Sequence, residues 1–401
     1  MNKRFLILGN GIAGLTAAET IRRTLPEAEI TMLTDEPEPT YARPLLSKVY
    51  LKTLNKERLY VHPPEWYSEH RIDLRLNTRA EAIDPAAHTV TTAAGETLGY
   101  DKLIYALGTA PFVPPYDYIP GGVFTVRSLA DIYEIHRYTA VAKNIVVIGG
   151  GVIGLEIAWE LRQMGPAVTV LELAPRLMSR QLDTQSAALI TQLIESNGVA
   201  VRTGVSIKGM LGGADGNVTG VEMADGSVFP ADLVIISAGL RPRKQLAEAA
   251  GLACGRGVLV NDYMQTSDPD IYAVGDCMEG RFMNPALWAY SKASALTAAR
   301  NACGTEEPKA FEPVFGDILI HGMGTALLSA GYVNEAEEGT TSQLLDEEYE
   351  EPLFKINAVD GHERHYEKRF YKNGKLQGAV LIGNLSRMHI VREEIAKAKE
   401  G

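Results

Sequence analysis

The chain has 401 residues, enough for about two to four domains at the usual 100–200 residues each, so its core needs no disulfide staples. Its 39 Lys and Arg against 50 Asp and Glu give a formal charge of −11, which argues against a general nucleic-acid or anionic-membrane binder. Cys254, Cys277 and Cys303 show no CxxC or metal-finger spacing, which argues against a structural disulfide set and a cysteine-ligated metal.

The start, Met1-Asn2-Lys3-Arg4, is basic but shows no signal-peptide core, so a cytoplasmic protein is expected. Phe5-Leu6-Ile7-Leu8 predicts a buried strand, and Gly9-Asn10-Gly11-Ile12-Ala13-Gly14 a tight turn. A helix from Leu15 to Arg23 and a strand from Glu29 to Leu33 follow. The whole pattern returns 140 residues later: Ile145 to Ile148, then Gly149-Gly150-Gly151-Val152-Ile153-Gly154, a helix from Leu155 to Met164 and a strand from Val168 to Leu171. Self-similarity of this kind makes two βαβ units. Leu103-Ile104-Tyr105-Ala106-Leu107-Gly108 is echoed by Leu233 to Gly239, and each run is soon followed by a proline, Pro111 and Pro242, where chains often leave a domain. Residues 113–242 are therefore expected as a domain inserted into a first one made of 1–112 and 243–310, with 311–401 as a small third.

The stretch from Phe315 to Val333 carries Asp317 and His321 and is glycine-rich, so it predicts strands and a turn rather than a membrane span. Eight acids between 333 and 352 (Glu335, Glu337, Glu338, Asp346, Glu347, Glu348, Glu350, Glu351) predict a solvated loop or sheet edge. Asn373-Gly374 supplies the two φ > 0 residues of a type I′ hairpin, and Met388 to Lys399 a final helix. The expected fold class is α/β: two nested Rossmann-like domains of the three-layer ββα type and a small C-terminal α+β domain.

A lone GxGxxG is a weak signal, but here each copy has its strand, its helix and an acid at the right distance. The first glycine permits the turn, the second lets a pyrophosphate approach the backbone, and the third lets helix pack on strand. The phosphate then meets a helix N-terminus. An acceptor for the ribose is needed about 20 residues on, and Asp35 and Glu172 stand 21 and 18 after the last glycines.

Two nested dinucleotide folds, joined by Thr266-Ser267 to Ile271-Tyr272-Ala273-Val274-Gly275-Asp276, resemble the FAD-dependent pyridine nucleotide oxidoreductases over essentially the whole chain. Tyr41-Ala42-Arg43-Pro44-Leu45-Leu46-Ser47-Lys48 resembles the segment shared by rubredoxin reductases, ferredoxin reductases of oxygenase systems and nitrite reductase large subunits. Disulfide reductases carry a cysteine pair near here and related oxidases and peroxidases a single redox cysteine; this chain has neither. The resemblance implies FAD on the N-terminal fold and NADH on the inserted one. It implies FAD contacts at Gly9, Gly11, Ala13, Gly14, Asp35 or its neighbour Glu36, Arg43, Lys48, Arg127, Gly275 and Asp276, although Asp276 by itself reads equally well as a strand-end turn or helix cap. Gly149, Gly151, Val152, Ile153, Gly154 and Glu172 are expected at the nicotinamide nucleotide, and Ala80, Ala106, Gly108, Ala238 and Gly239 as further cofactor contacts. Trp288, opening a helix to Cys303, is expected against the isoalloxazine, with core packing as the alternative. Lys48 and Glu156 match a pair beside the flavin in relatives and are the expected catalytic residues. The implied activity passes electrons from NADH through flavin to a rubredoxin or ferredoxin-like carrier. Alternatives are an NADH oxidase or diaphorase, the reductase part of a nitrite reductase, and a redox-sensing flavoprotein. A homo-oligomer is left open, and neither nucleic acid nor membrane is expected as a partner.

Overall fold

The computed structural model describes residues 2–48, 54–314, 317–323, 325–333, 339–348 and 364–400. The duplicated pattern folds as two βαβ units. The first runs through β1 (Arg4–Leu8), α1 (Ile12–Thr24) and β2 (Glu29–Leu33). The second runs through β3 (Asn144–Ile148), α2 (Val152–Gln163) and β4 (Ala167–Glu172), and continues into α3 (Thr184–Ser196). Both α1 and α2 begin three residues before the apolar pattern does, because the last three residues of each glycine motif already form the first turn.

The chain falls into two compact units, residues 1–44, 55–110 and 240–316 in one, and 45–54, 111–239 and 317–401 in the other. In the first, a parallel sheet runs in the order Ile271–Ala273, Lys102–Tyr105, β1, β2, Ile72–Arg75. Phe5 to Leu8 are all buried, as continuous apolar runs are when a parallel sheet is covered on both faces. One cover is α1, packed along α4 (Trp288–Cys303) with alanines 295, 298, 299 and 302 allowing close approach; the other is a three-stranded antiparallel sheet, 80–99, which contributes Ile83 and Val90 to the core.

The second unit repeats the plan. Its parallel sheet runs in the order Val199–Thr203, β4, β3, Leu233–Ile236, Val123–Thr125. A three-stranded antiparallel sheet, 207–230, lays Met210, Val218, Val221 and Met223 against Val146, Ile148, Val234 and Ile236. This is the three-layer ββα arrangement expected.

The same unit holds the C-terminal antiparallel sheet, built from β5 (Ile318–Gly322), β6 (Thr325–Gly331), β7 (Thr340–Glu348), β8 (Arg364–Lys372) and β9 (Lys375–Ile382) in the order β5-β6-β9-β8-β7. Asn373 (φ +52°) and Gly374 (φ +75°) make the tight β8–β9 turn, with a bulge at Phe370 and Tyr371. One face packs Leu328, Ala330, Ala379 and Leu381 against Val391 and Ile395 of α5 (Met388–Glu400). The acidic run is partly in β7, the edge strand, which carries Asp346, Glu347 and Glu348; Glu335, Glu337, Glu338, Glu350 and Glu351 lie outside the described residues.

Candidate functional site

The two glycine turns have the same three-part geometry. Gly9 has φ +104°, and a Cβ on it would lie 2.4 Å from the Ala106 carbonyl oxygen; a Cβ on Gly14 would lie 2.0 Å from the Gly9 oxygen. Gly149 has φ +113° with Ser237 O at 2.3 Å, and Gly154 meets Gly149 O at 2.0 Å. Only the middle glycines are open, since a Cβ on Gly11 or Gly151 would have nothing within 4 Å. Each open glycine N-caps its helix, and no side chain caps either one. A helix start has N–H groups without intrahelical acceptors and the positive end of the dipole, so an open notch there suits a pyrophosphate.

The acids at the strand ends differ. Asp35 follows β2, has its side chain 49% exposed, and lies 3.6 Å from Arg243. Its neighbour Glu36 is engaged by Tyr41 Oη at 2.5 Å and Arg43 Nη2 at 2.5 Å. Glu172 ends β4 and accepts from the Gly150 N–H at 2.5 Å and the Ala174 N–H at 2.6 Å. It thereby braces the turn beside which it stands. The guanidinium of Arg176 is folded back on its own loop, donating to Leu182 O at 3.3 Å and Ser179 O at 3.2 Å.

Asp276 lies in the short turn Gly275–Cys277 after Ile271–Ala273, and Ser291 of α4 donates to its Oδ1 at 2.8 Å. Gly275 has φ +70°, and a Cβ there would lie 2.9 Å from Ala13 Cβ, so the turn Gly275–Cys277 abuts the start of α1. Trp288 opens α4 and is half-buried, unlike a core tryptophan. Cys277 is fully buried, its thiol donating to Val274 O at 3.1 Å and pushed by burial up to about 12, which makes it an inert thiol.

In the other unit, Lys48 Nζ stands 3.4 Å from Glu156 Oε1, whose side chain is 7% exposed. Ser47 Oγ donates to Glu156 Oε2 at 2.6 Å. Burial pushes the Glu156 carboxyl above its ordinary value, against the pull of Ser47 and Lys48. Ser47 received no role from sequence; its signal was its place directly before Lys48.

The remaining residues are placed as follows. Ala106 is buried with its carbonyl against Gly9, and Gly108 follows with φ +65°; Ala238 and Gly239, φ +110°, stand just after Ser237, whose carbonyl meets Gly149. Val152 and Ile153 form the first turn of α2. Ala80 begins the antiparallel sheet of the first unit. Arg127 belongs to the second unit, where its N–H donates to Asp131 at 2.9 Å before the helix Leu129–Thr139. Sequence reasoning missed Glu38, which takes Tyr60 Oη at 2.5 Å and Lys56 Nζ at 2.8 Å.

Residues 3–295 match the family model described as pyridine nucleotide-disulphide oxidoreductase, and the chain belongs to that family. The family binds FAD and NADH. A nitrite reductase [NAD(P)H] of Bacillus subtilis is 35% identical over 392 residues, covering 96% of this chain and 46% of that protein. The chain thus spans about half the length of that relative. The rubredoxin-NAD(+) reductase of Pseudomonas putida is 34% identical over 331 residues, 80% of this chain and 86% of the relative. Among solved structures, a ferredoxin reductase of Rhodopseudomonas palustris superposes with a TM-score of 0.86 at 27% identity, covering 98% of this chain and 94% of its own. Among the described residues no helix is long and apolar enough to cross a membrane.

Proposed function

We propose that the chain is an FAD-dependent oxidoreductase that draws electrons from NADH and delivers them singly to a small carrier of the rubredoxin or ferredoxin-like class. The observation that carries this reading is the duplicated glycine cradle, closed at its first and third glycines and open at the second. On this reading 1–112 with 243–310 hold FAD and 113–242 hold NADH, with 311–401 the small C-terminal domain. Gly9, Gly11, Ala13, Gly14, Asp35 or Glu36, and Asp276 hold the FAD. Gly149, Gly151, Gly154 and Glu172 hold the nicotinamide nucleotide.

When bound, FAD would supply the chemistry, two-electron acceptance as hydride and one-electron release. Lys48 offers a fixed positive charge toward the negative charge that develops on reduction, and Glu156, itself held by Ser47, fixes the ammonium in place. The likeness to a rubredoxin-NAD(+) reductase supports the carrier class. A second reading, the reductase module of a nitrite-reducing assembly, is favoured by the 35% identity to one part of a protein about twice as long.

The test is flavin content followed by NADH oxidation with rubredoxin, with a ferredoxin, and with neither. A chain that takes up no FAD on reconstitution overturns the family-based chemistry. A flavoprotein whose NADH oxidation is unchanged by either carrier is an oxidase or diaphorase instead. Asp276→Ala should lower FAD retention, since a charge-assisted hydrogen bond contributes about 1.5 to 3 kcal/mol.

A further inference from the structure

The C-terminal sheet turns one face to α5; its other face meets the loop that leads from β4 to α3. Val380 of β9 has Ser329 of β6 on one side and Lys368 of β8 on the other, a single row across three strands. Ser329 Oγ donates to Gln181 O at 2.6 Å. Lys368 Nζ, in a side chain 6% exposed, donates to Asp183 Oδ2 at 2.7 Å and to Gln185 Oε1 at 3.3 Å; the Asp183 side chain is 1% exposed. Asp183 also N-caps α3, accepting from the Gln185 and Ser186 N–H groups, and Ser186 Oγ stands 3.1 Å from Tyr366 Oη.

The loop so fastened lies directly on the second glycine turn. Met178 N–H donates to Gly150 O at 2.9 Å. A Cβ on Gly150 would lie 2.5 Å from Leu177 Cδ2. Leu177, Met178 and Leu182 are buried, and Glu172, just before the loop, holds the Gly150 N–H. Direct contacts therefore run from β6 and β8 through residues 177–183 to Gly150 and Glu172. A buried ion pair is a poor choice for bulk stability, because apolar residues of the same volume often serve as well. What a directional pair adds is one register between sheet and loop.

Resting on the assignment of NADH to the inserted fold, we propose that Lys368 and Ser329 are positioning residues for the nicotinamide nucleotide. They hold residues 177–183 so that Gly150 and Glu172 keep the geometry that pyrophosphate and ribose require. The nucleotide site of this chain thus extends into its C-terminal sheet, about 200 residues away in sequence from the glycine turn.

The full chain with its flavin is compared as wild type, Lys368→Met, Lys368→Arg and Ser329→Ala. Calorimetric titration with ADP-ribose reads the site without turnover, and hydrogen exchange reads the amides of Met178, Gln181 and Leu182. Lys368→Met should weaken ADP-ribose binding roughly 3- to 30-fold, the scale of substitutions that act through packed contacts. It should also raise KM for NADH with kcat held and speed exchange at the three amides, while Lys368→Arg restores both. Ser329→Ala removes one hydroxyl and should move affinity and exchange the same way by a smaller factor, which keeps the test decisive should Lys368→Met fail to fold. Folded variants with a lowered Tm but wild-type affinity for ADP-ribose overturn the proposal, leaving the pair a plain fastener. Wild-type protein that binds no ADP-ribose overturns the NADH assignment itself, and this proposal with it.

Discussion

Alanine substitutions at Gly151 and Gly154 should damage different properties, although only two residues lie between them. At Gly154 the added methyl would sit 2.0 Å from the Gly149 carbonyl oxygen, a backbone atom that cannot swing aside. A glycine-to-alanine change inside a helix ordinarily gains about 1 kcal/mol. Overpacking costs about 1–3 kcal/mol, and rises when backbone must shift. The clash should win, so Gly154→Ala should lower Tm. At Gly151 nothing lies within 4 Å of the new Cβ, and φ −83° with ψ −178° suits alanine. The loss as a helix cap is only about 0.5–1 kcal/mol. The methyl would instead occupy the notch assigned to the pyrophosphate and break one charge-assisted hydrogen bond, about 1.5 to 3 kcal/mol. Affinity for ADP-ribose should therefore fall about 10- to 150-fold. Thermal melts and calorimetric titration of both variants separate the two effects. Wild-type affinity in a folded Gly151→Ala protein would refute the assignment of the notch, and an unchanged Tm in Gly154→Ala would refute the close approach.

Three further outcomes concern the reacting end and the specificity of the nucleotide. Lys48→Met should slow stopped-flow reduction of the flavin by NADH about tenfold or more. Because burial raises the Glu156 carboxyl, it ionises above the ordinary carboxylate range; the reduction rate should climb with pH through that window as the anion forms, and Glu156→Gln should lose the climb. A Glu156→Gln profile that matches wild type would remove Glu156 from the step. NADH should be favoured over NADPH about 10- to 150-fold, because Glu172 repels a 2′-phosphate while Arg176 is committed to Ser179 O and Leu182 O. Equal kcat/KM values for the two nucleotides would contradict this.

The layered fold was legible because its signals are local. A glycine turn, the helix that follows it and the Asn373-Gly374 hairpin each lie within a few residues, and repetition of the first signal removed most of the ambiguity. Charge was less legible, for the opposite reason: ion pairs join residues far apart in sequence. Between Tyr41 and Tyr60 the sequence carries five cations against Glu57 alone. In the structure Arg43 is paired with Glu36, Lys56 with Glu38 and Lys48 with Glu156, acids that lie outside that window. Arg58 is exposed, and Lys52 lies outside the described residues. The Lys368–Asp183 pair had no legible signal at all, since its partners stand 185 residues apart and neither belongs to a motif.

The strand order of the first unit also sets a timetable for synthesis. Its sheet joins Ile271–Ala273 to Lys102–Tyr105, and α1 rests on α4, which ends at Cys303. At roughly 5–20 residues per second, about 10–40 s pass between the emergence of residue 105 and that of residue 303. The parallel sheet of the inserted fold, by contrast, draws all its strands from 123–236 and is available while the outer half still waits. The inserted sheet should therefore be able to pair before the sheet of the first unit is complete. In the interval the apolar side of α1 lacks its alanine-lined partner, so a chain halted there should expose apolar surface that the full chain buries.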